Sequence, residues 1–173
     1  WRGLGDPTEI ALLTVAIKGG SVPGELRQRE PRRAEIPFDP AAQMIATQHE
    51  GVSGSRVIVK GAPELVVSLC DDRQLARDMR DTAERMGARA LRVLAVGVVS
   101  DGEIDGRAGF AAFQGRVKLL GLIGQIDPPR PEVEQAVARC REAGIRPIMV
   151  TGDHKTTGMA IATALGISRS GSI

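Results

Sequence analysis

The chain has 173 residues, of which 42% are hydrophobic and 25% charged, enough apolar content for a packed core and an ordinary charged surface. Its formal net charge of +2 is too small to argue for a nucleic acid or an anionic membrane surface as partner, and no apolar run approaches the ~20 residues of a membrane helix. Cys70 and Cys140 lie far apart in no CxxC or Cys/His cluster, so neither a zinc cage nor a disulfide framework has a basis, and a reduced, cytosolic setting fits.

In chain order, Gly5-Asp6-Pro7-Thr8-Glu9 opens a helix. Asp6 is a good N-cap, Pro7 a good first helical residue, and Glu9 stands where it completes a capping box. Ile10, Leu13 and Ile17 follow at helical spacing, Ala11, Leu12 and Ala16 broaden the stripe, and Gly19-Gly20 ends it. On the residues alone Glu9 is a capping carboxylate, though one placed where a ligand could meet it. Gly19 to Gly24 has Walker A spacing, but Glu25-Leu26 follows where Lys-Ser/Thr is required, which rejects a P-loop. Ser21 to Arg33 reads as a polar surface connection. Ala34-Glu35-Ile36 reads as a strand entering Pro37-Phe38-Asp39-Pro40. Phe38 is either a core anchor or a rigid platform for a purine, where base–aromatic stacking gives roughly 1–3 kcal/mol in nucleic-acid cases. Gln43–Gln48 alternates as a strand, and 49–55 is expected to be a flexible loop leading back into a second strand.

That second strand is Arg56-Val57-Ile58-Val59-Lys60, with Val57 and Val59 on one face and Ile58 and Lys60 on the other. Gly61 allows a sharp turn or close ligand approach. Pro63 and Glu64 open a helix. Lys60 is either a solvated strand-end lysine or a cation placed beside bare backbone and a helix N-terminus, which suits an anion. Asp71 or Asp72 is expected to cap a further helix whose buried stripe is Leu75, Met79, Ala83 and Met86. A β-prone run over 90–99 puts Arg92 on one face with Leu94, Val96 and Val98. Phe110 and Phe113 are expected to tuck the glycine-rich 101–115 segment against the body, before a strand over 117–124. Asp127-Pro128-Pro129-Arg130 bars a regular ladder. Beyond it the rhythm becomes helix (132–143), buried strand (145–150), then Thr151-Gly152-Asp153 at that strand's carboxyl end before a helix with Ile161 and Leu165. His49 and His154 have no ligand partners at metal spacing.

Six of these stretches, GDPTE, PFD, KGAPE, RVLA, DPPR and TGD, occur in one order between Gly5 and Ile167 and together resemble the cytosolic region of cation-transporting P-type ATPases, of the calcium and sodium/potassium branch. The resemblance implies ATP, with Mg²⁺, as ligand. It implies adenine stacked on Phe38 with Glu9 nearby, Lys60 and Gly61 at the pocket floor, and Arg92, in a strand with Leu94, meeting the phosphates. Gln43 stands where the family usually has lysine; it can donate a hydrogen bond but brings no charge to phosphate. Asp127, Pro128, Pro129 and Arg130 would be the hinge, and Thr151, Gly152 and Asp153 would hold the transferred phosphoryl group. The implied fold class is α/β (α+β): an antiparallel sheet with flanking helices over residues 1–126, lacking its first strands, then a hinge and incomplete haloacid-dehalogenase-like α/β segment over 127–173.

The family's DKTGT nucleophile and GDGxND carboxylates do not occur in the 173 residues. The expectation is a segment that starts inside one domain and stops inside the next, binding ATP without turning it over. Its partners would be nucleotide and the remaining domains of a parent pump at the cytoplasmic face of the plasma (inner) membrane, with no nucleic acid and no membrane contact of its own. An incomplete second domain is expected to be disordered, repacked on the first, or paired with another copy. A free-standing haloacid-dehalogenase-like phosphatase lacks its nucleophile here; a non-catalytic nucleotide-binding or interaction module derived from a pump is the remaining alternative. The transported ion is not encoded in these residues.

Overall fold

In a computed structural model, residues 5–52, 54–126, 129–151 and 155–168 are described. Helix α1 (Pro7–Lys18) and the short α2 (Pro23–Arg29) lead into a sheet of β1 (Arg32–Asp39), β2 (Met44–Gly51) and β3 (Gly54–Gly61). Helices α3 (Pro63–Ser68) and α4 (Arg73–Gly87) follow, then β4 (Arg92–Ser100), a 3₁₀ turn at Gly109–Phe113, and β5 (Lys118–Gln125). Last come α5 (Pro131–Glu142) and α6 (Lys155–Ala164). The five strands are antiparallel and run in sequence order, β1-β2-β3-β4-β5, with α3 and α4 inserted between β3 and β4.

Alternation along the strands decides which side chains meet the helices. Met44 and Ala46 of β2, Val57 and Val59 of β3, Ala95 and Val99 of β4 and Leu119 of β5 are buried in one cluster with Val66, Val67 and Leu69, Ala76 of α4, and Phe113. Each fully buried valine here contributes about 1.5–3 kcal/mol relative to exposure. The capping expectations hold at both helices: the Asp6 carboxylate accepts from the N–H groups of Thr8 and Glu9, and that of Asp72 from Gln74 and Leu75. Phe113 is completely buried and Phe110 packs against the cluster, so the aromatic pair does tuck this segment in.

Several expectations need correction. Pro23–Arg29 is helical instead of irregular, opened by Pro23 in its first turn and fastened at its end, where the Glu30 carboxylate pairs with Arg56 of β3. The loop expected over 49–55 is instead ladder nearly to its tip, with Gly51 opposite Gly54. His49 is accordingly a half-buried strand residue. The Glu30 carbonyl can only accept, so Nδ1–H of His49 donates to it at 3.1 Å, and Nε2 accepts from the Thr47 hydroxyl at 3.0 Å. α1 buries no residue, and Ile17 is exposed instead of inward. Ala136 of α5 is likewise exposed, while Val137 is buried. The largest departure is at 145–150, which forms no strand and exposes Ile145, Ile148 and Val150. An apolar run becomes a strand only when another strand bonds it, and none lies beside it among the described residues.

Burial, followed by the Arg32 charge, pulls the His49 pKa below its usual 6.5. Folding therefore favours the neutral ring, and the unfolded chain binds the proton more readily. Stability is full above the unfolded value and falls as pH drops through about 6.5. Thermal midpoints measured from pH 7.5 downward should show this slope, and His49→Gln should flatten it.

Candidate functional site

Because Val57, Val59 and Gly61 face the helices, Ile58 and Lys60 emerge on the other face of β3. Lys60 pairs across the ladders with Ile45 of β2 and Val96 of β4. Arg92 lies four residues before Val96 and so on the same face, where it pairs with Gln125 of β5. Leu94, opposite Ile123, lies between them. At the far side of the sheet a register shift between Ile36 and Asp39 sets Pro37 and Phe38 across from Ile45. Phe38 therefore flanks the row that holds Lys60, two strands away, roughly 10 Å by ordinary strand spacing.

Phe38 is 61% exposed, so it is not the core anchor that one reading of the sequence offered. The Lys60 side chain is only 17% exposed, so it is not a freely solvated strand-end lysine either. Its ammonium is paired with the Glu9 carboxylate of α1. The capping box is thus half made: Asp6 caps the helix, while the Glu9 side chain bonds a strand 51 residues away. Gln125 adds a second tie, its amide donating to the Thr8 carbonyl at 3.0 Å. The Asp6 carboxyl is held below its usual range by the Glu9 N–H first, with the Thr8 N–H and the nearby Arg92 guanidinium acting in the same direction. The first turn of α1 therefore lies over Lys60 and Arg92, on the sheet face away from α3 and α4.

Gly61 serves the chain itself. A Cβ there would strike the Gln43 carbonyl and come within 2.7 Å of Met44 Cγ and 2.9 Å of Met44 Cα. The bare backbone expected to admit a ligand is already filled by the β1–β2 turn. Gln43 sits in that turn at φ +48°, its side chain exposed and its carbonyl accepting from the Ala62 N–H at 3.1 Å. The KGAPE stretch is thus a strand-to-helix joint locked onto the turn that follows Phe38.

A cavity of about 1070 Å³ opens beyond the end of β3, lined by Arg92, Thr8, Glu64, Arg80, Gln125 and Ile161 among others. Of the sequence-derived candidates among the described residues, Arg92 lines it, while Phe38, Lys60, Gly61, Gln43 and Glu9 do not. The aromatic, the amine and the guanidinium lie on or beside one sheet face, with Arg92 also at the edge of this cavity. Reasoning from the sequence missed Gln125, whose partnership with Arg92 and Thr8 depends on pairings across 33 and 117 positions and leaves no local signal.

Pro129 and Arg130 are exposed immediately before α5, while Asp127 and Pro128 lie outside the described residues. Thr151 is exposed, and a Cβ on Gly158 of α6 would lie 2.9 Å from its methyl, so the residue sits against that helix. Gly152, Asp153 and His154 lie outside the described residues. Among the described residues no cluster of three His, Cys, Asp or Glu side chains could hold a metal ion, and no helix is long and apolar enough to cross a membrane.

The fold and its face define a class of domain: an antiparallel meander backed by two helices, with paired cations on its other side. Comparison with known proteins supplies the family. The profile of the P-type ATPase cytoplasmic domain N matches residues 1–132, and that of the haloacid dehalogenase-like hydrolases matches 99–172. The chain belongs to the P-type ATPases, through this cytoplasmic region. It is 38% identical over 180 residues to the Cation-transporting ATPase pma1 of Synechocystis and 35% identical over 181 residues to Calcium-transporting ATPase 1 of Lactococcus lactis. It is also 38% identical over 176 residues to the Probable cation-transporting ATPase F of Mycobacterium tuberculosis. These alignments cover 99%, 97% and 96% of the chain but only about a fifth of each relative.

The two phenylalanines separate the readings of Phe38. Phe113→Ala should cost about 3–5 kcal/mol by removing a filled core position. Phe38→Ala should stay within about 0.5 kcal/mol, since an exposed side chain leaves no void. Urea denaturation of the two variants beside the wild type checks both.

Proposed function

We propose that this region binds ATP on the Lys60–Arg92 face of the sheet and positions it for phosphoryl transfer to an aspartate outside these 173 residues, as part of a P-type cation-transporting ATPase. The observation that carries the reading is the placement of two cations on one sheet face, Lys60 half-sheltered and Arg92 at the rim of a cavity large enough for a polyphosphate.

The chemistry rests on the groups themselves. Phe38 offers an exposed aromatic plate for the adenine, flanking the row of Lys60. Lys60 supplies a point charge at the end of β3, sheltered from water and therefore worth more to an anion than a surface lysine. Arg92 presents a planar fork able to grip two phosphate oxygens and lines the cavity together with Thr157 and Ile161 of α6. In this arrangement the base lies at the β1 side of the sheet and the phosphates run past Lys60 and Arg92 toward α6 and Thr151. Gln43, exposed in its turn, is placed to donate one hydrogen bond. The structure supports Gly61 as the joint that sets the Lys60 position, in place of a surface that touches nucleotide.

Magnesium is expected with the ATP, but the described residues do not form a cage for it. The ion is read as entering on the phosphates, with no step assigned to it. The partners are the nucleotide and the other domains of a parent pump, and the setting is the cytoplasmic face of its membrane. Asp127, Pro128, Pro129 and Arg130 are proposed as the hinge between the two parts. Thr151, Gly152 and Asp153 are proposed to hold the transferred phosphoryl group, and the exposed 145–150 run to be covered by chain from outside this segment or by another copy.

Isothermal titration of the 173-residue chain with ATP tests the reading. Lys60→Ala and Arg92→Ala should each weaken binding roughly tenfold or more, the ordinary loss of a charged hydrogen bond, without changing the circular dichroism spectrum. A wild-type chain with no affinity for ATP, or variants that bind it unchanged, would refute the assignment.

A further inference from the structure

In the proposed site Lys60 is already occupied. Its ammonium is taken by a carboxylate of the same chain. The arrangement is not confined to one residue. α1 carries two acids in and just before its first turn: Glu9 on Lys60, and Asp6 close enough to Arg92 to feel its charge. Of the two cations read as nucleotide-binding, Lys60 is therefore bonded to a carboxylate of this helix, and Arg92 lies within electrostatic reach of its N-cap.

That helix is lightly held. None of its residues is buried, Val15 and Ile17 are 49% and 42% exposed, and among the described residues the Gln125 bond to the Thr8 carbonyl is its other side-chain hydrogen bond to the sheet. Glu9 itself is 58% exposed, so its carboxylate can return to water at little cost, while Lys60, at 17%, keeps a need for an anion once Glu9 leaves. An anionic ligand meets both conditions at once. It replaces the carboxylate on the sheltered amine and releases an acid that solvent accepts.

We infer that α1 is an internal counter-ion latch: Glu9 holds Lys60 in the nucleotide-free chain, and ATP binds by exchanging its own negative charge for this carboxylate. This rests on the proposed nucleotide site and adds its regulation. The latch gives the sheltered ammonium a counter-ion while the site is empty, and it makes affinity depend on the charge of the ligand as well as on its base. Glu9 is then a positioning residue in the empty state, whether or not it meets the adenine in the loaded one.

Glu9→Gln keeps the size and an acceptor oxygen and removes the charge. Titration calorimetry of wild type and Glu9→Gln with ATP, and with adenosine as an uncharged probe, reads the exchange. The variant should bind ATP about threefold tighter, the scale of releasing a partly exposed ion pair, with no such gain for adenosine. Amide exchange in α1 should rise when ATP is added to the wild type and should already be fast in the empty variant. ATP affinity equal or lower in Glu9→Gln, or an equal gain for adenosine, overturns the latch while leaving the ATP site standing. Failure of both proteins to bind ATP would remove the site and the latch together.

Discussion

β3 has a strand bonded along each edge and helices against one face, and that confinement dictates where its charged residue can go. Every second residue, Val57, Val59 and Gly61, is spent on the core, so the alternate positions have only the other face left to occupy. Lys60 is thereby carried into a partly sheltered place where an ammonium is costly without an anion. α1, none of whose residues is buried, is tied to that charge through Glu9. Local packing on one side of the strand thus creates an electrostatic demand on the other, and α1 answers it.

The KGAPE joint shows how one stretch serves folding and chemistry together. The Ala62 N–H is bonded by the Gln43 carbonyl, Pro63 takes a first-turn position, and Gly61 leaves room for the Gln43–Met44 backbone. These contacts set the end of β3 and hence the height at which Lys60 emerges. The same turn follows directly on Phe38, so the exposed aromatic and the sheltered amine are fastened to each other through backbone. A motif that reads as a ligand signature is, in this fold, first a device for ending a strand against a neighbouring turn.

The stretch after residue 126 behaves differently because its elements differ in what they need. α5 closes locally, with Gly144 at φ +72° and the Ile145 N–H returning to the Cys140 carbonyl. α6 likewise satisfies most of its backbone within itself. The apolar run at 145–150 has no such option, since strand hydrogen bonds come from another strand, and it forms no strand and leaves Ile145, Ile148 and Val150 exposed. A helix can bond its backbone internally where a strand cannot.

The same division separates what the amino-acid order determined from what was decided only in three dimensions. Local rules were enough for the Asp6 and Asp72 caps, for the face of β3 that Val57 and Val59 share, for the burial of Phe113, and for the motifs that mark the family, because each depends on residues a few positions apart. α2 was hidden by its polar composition, and the length of the β2–β3 ladder by a glycine-rich tip that looks like loop. Pairing at long range was not legible at all: that Glu9 would leave its own helix for Lys60, that Gln125 would stand beside Arg92, and that Phe38 would border a row two strands from Lys60 are all products of strand register and helix placement. Those are set by the summed burial of the whole core, a quantity that no single segment carries.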